Sequence, residues 1–154
     1  MSMGTKFVYV TYIRSSPEKI WDALTKPEFT RLYWAETTQK SDWTPGASWA
    51  AYTPDGRLWD KGEIIEVERP RRLVLTWQNQ HFPEMKAEGF TRLTYELAPE
   101  GDAVKLTLTH EIDRADSKII GATSQGWPMV LASLKSLLET GTPLSASTKW
   151  PEGL

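Results

Sequence analysis

An α+β fold, with a curved antiparallel sheet wrapped round one long C-terminal helix, is what this sequence predicts. Three observations carry the prediction. The middle of the chain, from about Ala47 to Ile112, is a succession of strand-like runs separated by Gly, Pro and Asp turn clusters. Near the C-terminus, Trp127, Leu131, Leu134 and Leu138 recur at i, i+4, i+7 and i+11, which is one apolar stripe on a helix. Before the strands, Thr11 to Trp34 reads as a strand end, a capped short helix, a proline break and a second short helix. An antiparallel sheet with one wet face needs a cover for its apolar face, and the C-terminal helix is the element long and apolar enough to provide it.

The elements follow in order. Lys6 to Ile13 is rich in β-branched and aromatic residues and reads as the first strand. Ser16 caps the next helix, Pro17 suits its first turn, and Ile20, Trp21 and Leu24 give it an apolar face. Pro27 ends it, because the residue before a proline avoids helix. A second short helix then carries Phe29, Leu32, Tyr33 and Trp34. Ser41 to Gly46 is a turn and Ala47 to Tyr52 a short strand. Thr53-Pro54-Asp55-Gly56 is a hairpin signal, since Asp-Gly supplies positive φ. Arg57 to Glu68 is a strand in which Gly62 marks a bulge or bend. Leu73 to Gln78 is another, and Asn79 to Lys86 is a loop. Glu88 to Ala98 and Ala103 to Ile112 form a hairpin, with Val104, Leu106, Leu108 and His110 on one face. The long helix is expected from Ser124, as cap, to Thr140. Pro128 then falls near its first turn and Gly141 is the stop.

Composition narrows the function classes. The chain has 154 residues, room for one domain, with 40% hydrophobic and 25% charged residues and a formal net charge of −2. That charge gives no electrostatic footprint for nucleic acid. No apolar run is long enough for a membrane span, and the first residues lack the apolar core of a signal peptide. There is no cysteine, hence no disulfide, thiolate nucleophile or cysteine metal site. A cytoplasmic location is the expectation. The outlier is tryptophan, with eight residues at 21, 34, 43, 49, 59, 77, 127 and 150. Such a set either fills a core or lines a cavity for a flat or greasy ligand.

Chemistry-bearing patterns are sparse. His110 ends the last strand on its apolar face, so it is either a base or ligand contact or a hydrogen-bonded structural residue, and the second is expected. His81 lies in a loop. Two scattered histidines make no metal site, and no cofactor is expected. No activated-serine elbow or phosphate-binding glycine loop occurs. Ser16 and Ser124 read as caps, and Arg69, Arg71 and Arg72 as a solvated hairpin tip.

Four stretches in order carry a family resemblance. They are Ser16-Pro17-Glu18-Lys19-Ile20-Trp21-Asp22-Ala23-Leu24-Thr25 with Tyr33-Trp34; Trp43-Thr44-Pro45-Gly46; Gly62 to Val67 with Pro70, Leu73 and Trp77; and Leu106 to His110 with Gly126-Trp127-Pro128, Leu131, Leu134, Leu137 and Leu138. The chain resembles the activator of heat-shock-protein-90 ATPase homologue family, within the START-like (SRPBCC, birch-pollen-allergen-like) superfamily. The resemblance covers about Lys6 to Leu144, so residues 6–144 are expected as one domain and 145–154 as a loose tail. It implies a helix-grip fold with a cavity between sheet and long helix. In the eukaryotic activator this domain accompanies a separate N-terminal domain, for which this chain has no room.

The residues placed in that cavity by face are Trp34, Trp49, Trp77, His110, Trp127, Leu131 and Leu134. Such a lining suits an apolar or aromatic small molecule. Two function classes follow: a small hydrophobic-ligand binding protein, and an interaction domain that modulates a chaperone or other ATPase. Cyclase- or hydrolase-like chemistry in the same cavity is a further alternative, and no catalysis is the expectation. A protein partner is open, as is the oligomeric state.

Overall fold

In the structure, a computed structural model that describes residues 4–154, the chain forms a seven-stranded antiparallel sheet and four α-helices. The strands are β1 Thr5–Ile13, β2 Thr38–Ser41, β3 Ser48–Tyr52, β4 Leu58–Glu68, β5 Arg72–Asn79, β6 Thr91–Glu100 and β7 Ala103–Ile112. They lie in the order β1-β7-β6-β5-β4-β3-β2. The helices are α1 Pro17–Thr25, α2 Pro27–Tyr33, a single turn α3 Pro83–Lys86, and the long α4 Lys118–Thr140. The helix-grip architecture expected from the sequence is therefore present, with the core between the inner face of the sheet and α4.

The alternation of β7 is what builds that core. Val104, Leu106, Leu108 and His110 are all buried, while Lys105, Thr107, Thr109 and Glu111 face outward. From α4, Trp127, Leu131 and Leu134 meet them. At the other end, Ser16 Oγ accepts the N–H of Lys19 at 3.2 Å and caps α1. The Tyr33 hydroxyl donates to the Ala23 carbonyl at 2.8 Å and ties α2 to α1.

Several expectations need correction. β2 went unread because Thr-Gln-Lys-Ser carries no apolar alternation; only Gln39 turns inward, to accept the Trp49 indole N–H at 3.3 Å. The loop from Asn79 to Lys86 contains the α3 turn. Gly62 is not itself the bulge, which falls between Ile64 and Glu66. Its need for glycine is steric: a Cβ there would sit 1.8 Å from the Thr76 carbonyl oxygen on β5. The long helix begins at Lys118, not near Ser124. Its cap is Ser117, whose Oγ accepts the Ile120 N–H at 3.2 Å. Pro128 is consequently inside the helix, where it lacks the N–H that would reach the Ser124 carbonyl. The tail also packs. Residues 145–147 form a 3-10 turn, the Ser147 carbonyl accepts the Ala35 N–H at 2.8 Å, and Trp150 meets Trp59 edge-on at 4.7 Å.

Candidate functional site

The site is a cluster of tryptophans where α2, β5 and α4 converge. Trp34 caps the C-terminus of α2, Trp77 points inward from β5, and Trp127 lies on the buried side of α4, two turns after Ile120. Their ring centroids are 5.2 Å (Trp34 to Trp127), 5.6 Å (Trp77 to Trp127) and 6.0 Å (Trp34 to Trp77) apart. The first two pairs are edge-to-face and the third stacked, the arrangements that the ring quadrupole favours. Trp49 lies behind Trp77 at 4.7 Å.

His110 sits beneath this cluster, fully buried. The Trp127 Nε1–H donates to its Nδ1 at 3.1 Å, so Nδ1 is bare and Nε2 carries the proton. Nε2 then donates to Thr91 Oγ1 at 2.7 Å, and the Thr91 hydroxyl donates on to the Trp77 carbonyl at 3.0 Å. One chain of hydrogen bonds thus joins α4, β7, β6 and β5. Burial pushes the His110 pKa down to about 3. A neutral imidazole with both nitrogens engaged is a crossbar that orients Trp127. It is not poised as a general base.

Among the three rings lies a cleft of about 110 Å³, lined by Trp34, Trp77, Thr123, Gly126, Trp127 and Val130. The Thr123 hydroxyl donates to the Ile119 carbonyl at 2.9 Å and lies 3.1 Å from His110 Nδ1. It is the one side-chain hydroxyl in that lining. Of the residues placed here from sequence, Trp34, Trp77 and Trp127 line the cleft. His110 lies one layer below, and Trp49, Leu131 and Leu134 belong to the closed core. Thr123, Gly126 and Val130 were missed. Correct placement of the start of α4 would have put Thr123 on the helix, one turn before Trp127; Gly126 and Val130 were already inside the expected helix but were not assigned to the cavity.

A larger hollow of about 630 Å³ lies on the outer face of the sheet, lined among others by Lys6, Ile65, Phe90, Arg92, Glu111 and Asp113. Its two cations and two carboxylates balance, and no reactive group converges there, so its size confers no chemistry. Among the described residues, no group of three or more His, Cys, Asp or Glu side chains is placed to hold a metal ion. No described helix is long and apolar enough to cross a membrane.

The architecture and the indole-lined gap beside the long helix define a START-like, helix-grip protein. Residues 14–139 match the profile of the activator of Hsp90 ATPase homolog 1-like proteins, and the chain belongs to that family. Solved structures agree on the fold. MLL2253 from Mesorhizobium loti is 25% identical with a TM-score of 0.74, the match covering 88% of this chain and 97% of that one. CalU16 from Micromonospora echinospora is 21% identical with a TM-score of 0.70, over 90% of this chain and 78% of that one. SSP2350 from Staphylococcus saprophyticus is 19% identical with a TM-score of 0.72, over 92% and 96%. None of the curated protein sequences compared with the chain matches it.

Proposed function

We propose that the chain binds a small, largely apolar molecule whose buried part is a single ring or a short branched alkyl group. The observation that carries this reading is the cleft between Trp34, Trp77 and Trp127. Its volume, about 110 Å³, is below that of most drug-sized sites. It is close to that of an apolar cavity that stays dry and admits benzene, about 150 Å³. Three indole rings in the lining favour an aromatic guest, and the Thr123 hydroxyl serves one polar substituent. With His110 neutral and engaged on both nitrogens, the lining supports binding and offers no base for turnover.

A second reading is an interaction domain for a chaperone or other ATPase. It draws on the family's description and on the interior, where Trp49, Trp77 and Trp127 fill most of the space between sheet and helix.

Thermal melts with toluene, indole and cyclohexane decide between the two. The binding reading expects a raised melting temperature, equivalent to about 2.7 kcal/mol at a hundredfold excess over the dissociation constant, with quenched or shifted Trp fluorescence. Gly126 lines the cleft and a Cβ there meets nothing within 4 Å, so Gly126→Leu is expected to reduce the shift without disturbing the core. If no probe moves the melting temperature of the parent, the binding reading fails and the surface reading replaces it.

A further inference from the structure

The sheet has two free edges, and the chain treats them differently. β2 is short, four residues with Lys40 exposed, which blunts it against pairing. β1 has nine residues, and its outward face carries Val8, Val10 and Tyr12 at 51%, 43% and 47% exposure. In an antiparallel edge strand, both backbone groups of every second residue point away from the neighbouring strand. The contacts of α4 identify that set. Lys135 Nζ donates to the Tyr12 carbonyl, and the Arg14 N–H donates to Glu139 Oε2 at 2.8 Å. The even-numbered residues are therefore the outward ones. Lys135 and Glu139, themselves an ion pair at 2.9 Å, close the edge at Tyr12 and Arg14. The N–H and C=O groups of Lys6, Val8 and Val10 take no hydrogen bond on that side from any described residue.

We propose that this open stretch of β1 pairs, antiparallel, with the same stretch of a second copy of the chain. The free groups select the register. With Val8 opposite Val8 of the partner subunit, Lys6 of each copy faces Val10 of the other. All three open residues are then used on both strands, giving roughly six backbone hydrogen bonds at two per pair. The capped stretch is left alone. Tyr12 falls opposite the partner's Gly4, which carries no side chain to collide with the ring, and Lys135 and Glu139 keep their contacts. A shift by two residues one way would place Lys6 against Tyr12, whose carbonyl Lys135 already holds, and the other way would set Val10 against Gly4, which lies outside β1. On the outer face, the valines of the two copies make a continuous apolar strip. The seam is small, so association depends on concentration.

The absence of cysteine makes the register testable. Directly opposed residues at hydrogen-bonded positions have Cα atoms about 5.5 Å apart, within the reach of a disulfide. In this register the two Val10 residues are four positions out of line, roughly 13 Å apart. Under mild oxidation, Val8→Cys is expected to form a linked dimer and Val10→Cys is not. A mixture of Lys6→Cys and Val10→Cys chains is expected to link. Analytical ultracentrifugation from ~1 µM to ~1 mM is expected to show the parent's mass doubling. Val8→Lys, at an exposed position where it would set two ammonium groups face to face, is expected to abolish the doubling with melting temperature unchanged. A parent monomeric throughout, equal linking of Val8→Cys and Val10→Cys, or a Val8→Lys dimer as tight as the parent would each overturn the proposal.

Discussion

His110 shows how burial changes what a residue can do. On a surface its imidazole would titrate near neutrality; here it accepts from Trp127 and donates to Thr91, and stays neutral. Removing it leaves the Trp127 N–H without its acceptor and Thr91 Oγ1 without its donor, while the Thr91 hydroxyl keeps the Trp77 carbonyl. His110→Ala is expected to lose about 1–3 kcal/mol in denaturant titration. The pH dependence follows from the sign of the shift. The folded pKa, about 3, lies below the unfolded value, so the contribution of His110 is complete above about 6.5 and is lost as pH falls towards 3. The parent should therefore lose stability in acid more steeply than His110→Ala. Trp127 carries a larger load, since it contacts Trp34, Trp77, Tyr95 and His110. Trp127→Ala is expected to cost about 3–5 kcal/mol, read by the same titration.

Among the elements, α4 depends most on a distant residue. Glu88, ahead of β6, receives the Ser117 Oγ–H at 2.5 Å, the Lys118 N–H at 2.7 Å and the Ile119 N–H at 3.4 Å. It satisfies open donors at the helix start and places negative charge against the dipole. Partial burial pushes the Glu88 carboxyl up, but those hydrogen bonds together outweigh it and hold the pKa below the ordinary value. Its stabilisation is therefore present above the ordinary carboxylate range and lost as pH falls through the folded pKa. Glu88→Gln is expected to lower stability by about 1 kcal/mol at neutral pH, with the gap to the parent closing in acid melts. A constant gap at every pH would remove the charge from the account. The strong start at Ser117 also explains why the helix continues through Pro128: ten residues are already helical before it.

At the scale of the whole molecule, a buried carboxyl and the C-terminal tail both bear on the β4–β5 end of the sheet. Burial pushes Asp60 up to about 7, against hydrogen bonds from Asn79 and Trp77. This sign is opposite to that of Glu88. Because the folded pKa is raised, the stabilisation is complete below the unfolded value, about 3.9, and is lost as pH rises through 7. Melting temperature should thus fall between pH 5 and 8 more in the parent than in Asp60→Asn. Near this carboxyl, Trp59 stacks on His81 at 4.2 Å and is covered edge-on by Trp150. Deleting residues 145–154 uncovers that ring and removes the Ala35–Ser147 hydrogen bond. The truncated chain is expected to melt at lower temperature with a red-shifted Trp emission. An unchanged melt would mean that the tail packs without contributing stability.

Several short-range rules held, although the Ser124 cap and the Gly62 bulge did not. The Ser16 cap, the Pro27 break, the period-2 faces of β7, the Asp55-Gly56 hairpin and the α4 stripe are each written within a dozen residues, and together they specify a sheet gripping a helix. Trp34, Trp77 and Trp127 were legible as large apolar residues on inward faces. What only the tertiary structure decided are the long-range pairings. Glu88 reaches α4 across 30 residues, Gly62 admits the Thr76 carbonyl, and Trp150 returns to Trp59. The Trp127–His110–Thr91 relay spans three elements, and its geometry sets the tautomer and the pKa. β2 exists because a neighbouring strand offers backbone partners, since its own residues show no pattern. Hydrogen bonds and desolvation act over a few ångströms in space whatever the separation in sequence, so these features form only when the fold closes.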